Sequence, residues 1–178
     1  MIGALLGRCT RRWRDETGSA TVEFVLIFPV ILTMIIMTLE MGFINLRQVM
    51  LERGLDIAVR EVRLGTGTAP DHDQIKDLVC QNARIMQDCS TKLRLEMVTS
   101  DPRAFTPLSG PADCTDAAEP TKPVRSFVPG QANQVVMMRA CLKYQPFAPQ
   151  ALLGSLLEKD TSGDTALIAV TAFVQEPL

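Results

Sequence analysis

The apolar run "ATVEFVLIFPVILTMIIMTLEMGFI", from Ala20 to Ile44, narrows what this chain can become more than any other feature. Between Val22 and Ile44 the only ionisable residues are Glu23 and Glu40, one near each end. As a helix at about 1.5 Å per residue, Val22–Ile44 extends roughly 34 Å, enough to cross a hydrocarbon core of about 30 Å. Arginines crowd its N-terminal flank at Arg8, Arg11, Arg12 and Arg14, against Arg47 and Arg53 beyond it. Basic flanks stay in the cytoplasm. The expected topology is therefore one span, N-terminus inside, with residues after about Leu46 outside. A secretory signal has an apolar region of only about 7–15 residues and then a small-x-small cleavage site. This run is longer, and "MGFINLRQ" behind it offers no such site.

The formal charge of -2 hides an asymmetry, because residues 1–18 are net basic and the rest is net acidic. No basic stripe with interleaved aromatics follows, which argues against nucleic acid as a partner. The helix is expected to continue past the bilayer. "NLRQVMLERGLDIAVREVRLG" keeps an apolar stripe through Leu51, Leu55, Ala58 and Val62, with Arg53, Arg60 and Arg63 mostly off it. The breaker Gly65-Thr-Gly67-Thr-Ala-Pro70 then ends a continuous helix of about residues 19–64, membrane-spanning over about 22–44. Pro29 inside it removes the hydrogen bond to the Val25 carbonyl, so a kink or local unwinding is expected there.

Beyond the helix the pattern predicts a small α+β head over 65–178. Asp71 or Asp73 caps a short helix that carries Ile75, Leu78, Val79 and Ala83 on one face. "KLRLEMV" alternates Leu93, Leu95 and Met97 inward with Arg94 and Glu96 outward. "QVVMMRACLKY" places Val136, Met138, Ala140, Leu142 and Tyr144 on one face, and "TALIAVTAFV" reads as a well-buried third strand. Between the first two strands, about 100–134 forms a long Pro- and Gly-rich loop pinned by Cys114. "PFAPQALLGSLLEKD" reads as a proline-started turn with a short amphipathic helix. Three antiparallel strands with helices on one face is the expected architecture.

Of five cysteines, Cys9 lies in the basic leader and Cys80, Cys89, Cys114 and Cys141 lie beyond the span. An even number in an oxidising compartment suggests two disulfides, and four cysteines allow three pairings. Cys80–Cys89 is the local choice, which leaves Cys114–Cys141. The first closes a short loop worth about 2.5–3 kcal/mol in the chain-entropy model.

A search for chemistry finds no nucleophile elbow, phosphate-cradling loop or zinc motif, so neither an enzyme nor a cofactor or metal protein is expected. The single histidine, His72, stands between Asp71 and Asp73 and reads as a solvated helix start. The polar residues that call for explanation are in the span. An acidic group at a helix centre in a membrane costs on the order of 2.5–3.5 kcal/mol, and less near an interface. Glu40 is read as interfacial and snorkelling outward. Glu23 differs, because cleavage between Gly18 and Ser19 makes it the fifth residue of the new chain. The ammonium of one such chain can then pair with Glu23 of a neighbour, which offsets desolvation and fixes axial register.

At "GSATVEFVLIFPVILTMIIMTLEMGF" the sequence resembles the TadE-like minor pseudopilins of tight-adherence (Flp-type) pilus machines. The glycine, the carboxylate at Glu23, the aromatic Phe24, the proline-bearing run, and Glu40 and Gly42 near its end carry the likeness. "IAVREVRLG" and the closing "VTAFVQEPL" are similar to the family's helix end and C-terminal strand. The tyrosine of the major Flp pilins is Phe24 here. The resemblance implies that a membrane prepilin peptidase cuts after Gly18, leaving Ser19 as the new terminus. It implies residence in the bacterial inner membrane with a periplasmic head, and incorporation in a pilus. It further implies other pilins, pseudopilins and inner-membrane assembly proteins as partners, beside the lipid bilayer. The large head favours a low-copy initiating, priming or tip subunit over the major pilin. A rival reading is an unprocessed single-span anchor that scaffolds an envelope complex, indifferent to Glu23. A third, a membrane-tethered enzyme using His72, names no catalytic partner.

Overall fold

The computed structural model describes residues 19–64, 71–86, 88–104, 108, 110–115, 127–150 and 152–177. The leader with Cys9 and Gly18, the Gly65–Pro70 breaker and the middle of the 100–134 loop lie outside the described residues.

Helix α1 covers Ser19–Leu64, 46 residues, and runs unbroken through Pro29. Every described side chain from Ala20 to Ile35 is exposed, so this half projects clear of the head. Two hydroxyls of α1 bond back to the helix, Thr33 Oγ1 donating to the Val30 carbonyl and Thr38 Oγ1 to that of Met34, both at 2.8 Å. In an apolar medium an unmade bond of this kind is costly. The second half is amphipathic as expected. Leu51, Leu55, Ala58 and Val62 are buried at steps of four and three, with Arg53, Arg60 and Arg63 exposed. Each buried leucine contributes about 1.5–3 kcal/mol against leaving it in water.

Helix α2, His72–Asn82, packs across α1 with Ile75, Val79 and the C-cap residue Ala83 all fully buried. Asp71 is its N-cap residue, with the Asp71 N–H donating to Gln74 Oε1 at 3.3 Å. The close approach of the two helices depends on Gly54 of α1. A Cβ there would stand 2.8 Å from the Val79 carbonyl oxygen. A one-turn helix α3, Cys89–Lys92, leads directly into the sheet.

Strands β1 (Leu93–Ser100), β2 (Val135–Tyr144) and β3 (Thr165–Val174) form an antiparallel sheet in the order β1-β2-β3. Leu95 faces Ala140, which faces Ala169. The inner face, including Leu93, Leu95, Met97, Met138 and Leu142, joins the stripes of α1 and α2 in one core. Helix α4, Leu152–Leu156, sits in the β2–β3 connection and packs on α1. A long N-terminal apolar helix, then a small antiparallel sheet with short helices, is the α+β architecture that the pattern predicted.

Two expectations need correcting. β3 is an edge strand, buried only on one face. Leu167, Ala169 and Phe173 enter the core, while Ile168 (44%) and Val170 (54%) are exposed. An apolar strand of that composition reads as doubly buried by pattern, because alternation is lost when both faces are apolar. Arg94 and Glu96 do point away from the core, yet they are buried too. The segment Gly110–Thr115 folds over this face. Arg139 Nε meets Glu96 Oε2 at 2.6 Å, and its Nη1 and Nη2 donate to the carbonyls of Gly110 and Pro111. Glu96 also accepts the Asp113 N–H, and Arg94 pairs with Asp113 at 3.3 Å.

Candidate functional site: the N-terminal helix and its seat on the head

The residues singled out by sequence fall into two groups along α1. Glu23 lies one turn into the helix that starts at Ser19, among exposed apolar side chains, and Gly18 is outside the described residues. The half of α1 that carries Glu23 and Pro29 makes none of the core. It is one helix long and apolar enough to cross a membrane.

Glu40 belongs to the other group, and here the expectation of an outward-snorkelling side chain is wrong. Glu40 is 0% exposed. Its Oε1 accepts the Phe147 N–H at 3.0 Å and its Oε2 accepts the Ala148 N–H at 2.8 Å. Both donors belong to the turn between β2 and α4. Pro146 and Pro149 bracket that turn, and prolines cannot donate, so the two amides between them lack partners in a regular element. The carboxylate supplies them. Phe43, one turn further along α1, lays its ring 5.7 Å from that of Phe147. A carboxylate that looked expensive in the span is thus a clamp that ties the head to the end of the apolar run. Only the pairing of an isolated acid with a remote Pro-x-x-Pro turn could have signalled it.

Above the clamp, Arg47 stacks over the Tyr144 ring at 4.7 Å, a cation–π contact. Burial pushes the Tyr144 phenol up, opposed by the Arg47 charge. Arg47, Lys92, Lys143, Tyr144 and Asp88 border a cleft of about 200 Å³. Two of its cations are already engaged, Lys92 with Asp164 at 2.7 Å and Lys143 with Asp160 at 2.6 Å. Further up, Gln48 Nε2 donates to the Ile168 carbonyl and Gln175 Nε2 to that of Val62. Arg63 pairs with Glu176 at 2.9 Å. The segments "IAVREVRLG" and "VTAFVQEPL" are therefore in contact.

The head is stapled by Cys80–Cys89 and Cys114–Cys141, with Cα separations of 5.6 and 5.2 Å. The first ties the end of α2 to α3, and the second ties the loop to β2 over the buried charges. His72 opens α2 as expected but is not solvated. Its ring stands edge-on to Phe127 at 5.2 Å, and its Nδ1 lies 2.9 Å from Asp73 Oδ1. That hydrogen bond and the imidazole charge hold the Asp73 carboxyl below its usual value. Among the described residues no cluster of His, Cys, Asp or Glu could hold a metal ion.

Comparison with known proteins agrees with the N-terminal reading. Residues 18–60 match the family model of the TadE-like proteins, a match that begins at Gly18 and ends within the buried stripe of α1. The head from residue 61 onward lies outside that match. No curated protein and no solved structure matches the chain.

Proposed function

We propose that this chain, TadE-like over residues 18–60, is a minor pseudopilin of a tight-adherence (Flp-type) pilus machine. The observation that carries the reading is the coincidence of that match with a helix whose first half is exposed and apolar and whose second half is built into a head. Such a helix holds the protein in the inner membrane, N-terminus in the cytoplasm and head in the periplasm. Once a prepilin peptidase has cut after Gly18, it packs among the helices of other pilins and pseudopilins.

Glu23 gives the packing its register. A helix N-terminus already favours negative charge nearby. With the leader removed, the Ser19 ammonium of one subunit and the Glu23 carboxylate of the next form an ion pair in a medium where neither tolerates isolation. The disulfide-stapled head resists the periplasm and presents the surface by which a low-copy subunit primes, initiates or tips the fibre.

Glu23→Gln tests this. Membrane insertion of the variant should equal that of the parent, while surface pili fall sharply in number. Equal piliation in parent and variant would refute the register role.

A further inference from the structure

With α1 across a bilayer, a placement taken from the proposed function and required here, the head meets lipid at a definable level. From Ala20 to Ile35 the helix is bare, roughly 24 Å at about 1.5 Å per residue. Burial on α1 begins at Ile36 and Met37, a turn before Glu40. With the span beginning between Ala20 and Val22, a hydrocarbon core of about 30 Å therefore extends about 6–9 Å past the point where the head begins. Whatever part of the head surrounds α1 at that level must lie in lipid.

That part is chemically suited to it. The stretch "QPFAPQALLGSLL", Gln145–Leu157, carries no charged residue, and "EKD" comes directly after it. Glu40 holds it against α1 through the Phe147 and Ala148 amides, and α4 packs on the same helix. Two of its large apolar side chains turn outward, Phe147 being 64% and Leu156 76% exposed. Interfacial segments bury their apolar face about 5–10 Å into the boundary between headgroups and acyl chains, a depth that the shortfall on α1 matches. Just above it stand Arg47 and Tyr144, residue types that favour the membrane–water interface.

We propose that the Gln145–Leu157 turn and α4 form a second membrane contact, inserting Phe147 and Leu156 into the outer leaflet beside α1. The occupant of this apolar surface is lipid. With two points of attachment, a spanning helix and a shallow wedge, the head cannot swing freely about a single tether. Glu40 then serves the anchor twice, hiding its own charge and satisfying two amides that would otherwise enter lipid bare.

Tryptophan fluorescence of the full chain in phosphatidylethanolamine–phosphatidylglycerol vesicles tests the insertion. Phe147→Trp and Leu156→Trp are each made with Trp13→Phe, and Ile31→Trp in the same background marks the span. Lipids brominated near the headgroup end of the acyl chain should quench positions 147 and 156, and acrylamide in the water should not. Lipids brominated deep in the chain should quench position 31. Quenching of 147 and 156 by acrylamide alone, with position 31 still quenched by lipid, would overturn the wedge and leave the span standing. Positions 147 and 156 quenched by neither reagent would mean that protein covers the patch, which also overturns the proposal. No lipid quenching at position 31 would instead bring down the spanning helix itself.

Discussion

Replacing Glu40 removes the acceptor for two amides at once, and the geometry sets the size of the effect. Both contacts are short, 3.0 Å from Phe147 N and 2.8 Å from Ala148 N, and each uses a different oxygen. A hydrogen bond to a charged group contributes about 1.5–3 kcal/mol, and an amide left buried without a partner costs about 1–3 kcal/mol. Glu40→Ala should therefore weaken closure of the 146–149 turn by about 2–5 kcal/mol. Glu40→Gln keeps one accepting oxygen and turns the other into a donor, so it should cost about half as much. At about 1.4 kcal/mol per factor of ten, the alanine variant should lose roughly thirtyfold to a few thousandfold of the protection of these two amides. Hydrogen exchange of the detergent-solubilised chain reads this directly. The amides of β2 serve as an internal reference, since their ladder does not involve Glu40. Unchanged exchange at Phe147 and Ala148 in Glu40→Ala would refute the clamp.

Other perturbations have equally definite outcomes. Arg139→Ala leaves Glu96 buried without its guanidinium and should destabilise the head by about 3–5 kcal/mol, as measured by denaturant unfolding. Replacing Arg139 and Glu96 together by apolar residues of similar size should recover most of that loss. Gly54→Val drives a side chain into the Val79 carbonyl and should cost about 1–3 kcal/mol as overpacking, read in the same unfolding curves. Burial pushes the Asp160 carboxyl up, but the Lys143 ammonium and the amides of Asp164 and Ser162 outweigh it, so its pKa lies below the ordinary 3.8. The folded turn 160–164 therefore gains from this group at every pH above about 3.8, and loses the gain as pH falls through the lower folded value. Exchange of the Ser162 amide should accelerate in that acid window, and Asp160→Asn should abolish the dependence.

What the sequence made legible is what obeys a period. The stripe Leu51, Leu55, Ala58, Val62 and the alternation Leu93, Leu95, Met97 each arise from one element's geometry, and both sit in the core where the pattern put them. Glu40, Arg94, Glu96 and β3 were misjudged for a common reason. Their environment is set by a different segment of the chain or by the sheet as a whole: the 146–149 turn, the Gly110–Thr115 loop or the sheet edge. No local period encodes a partner that lies outside the element, whether 17 residues on, as Asp113 is from Glu96, or 107, as Phe147 is from Glu40. Gly54 went unremarked because its role depends on where α2 crosses. The family signal shows the same division, covering the apolar half of α1 and most of its buried continuation but none of the sheet.

The central claim is that α1 becomes an assembly helix when the leader is removed. N-terminal sequencing of the protein extracted from membranes of cells that hold the prepilin peptidase tests it most directly. The account predicts a chain that begins at Ser19, and one that begins at Met1 when the peptidase is deleted. A chain that keeps Arg8–Gly18 in the presence of the peptidase would contradict it, and would leave Glu23 facing no new ammonium in an unprocessed anchor.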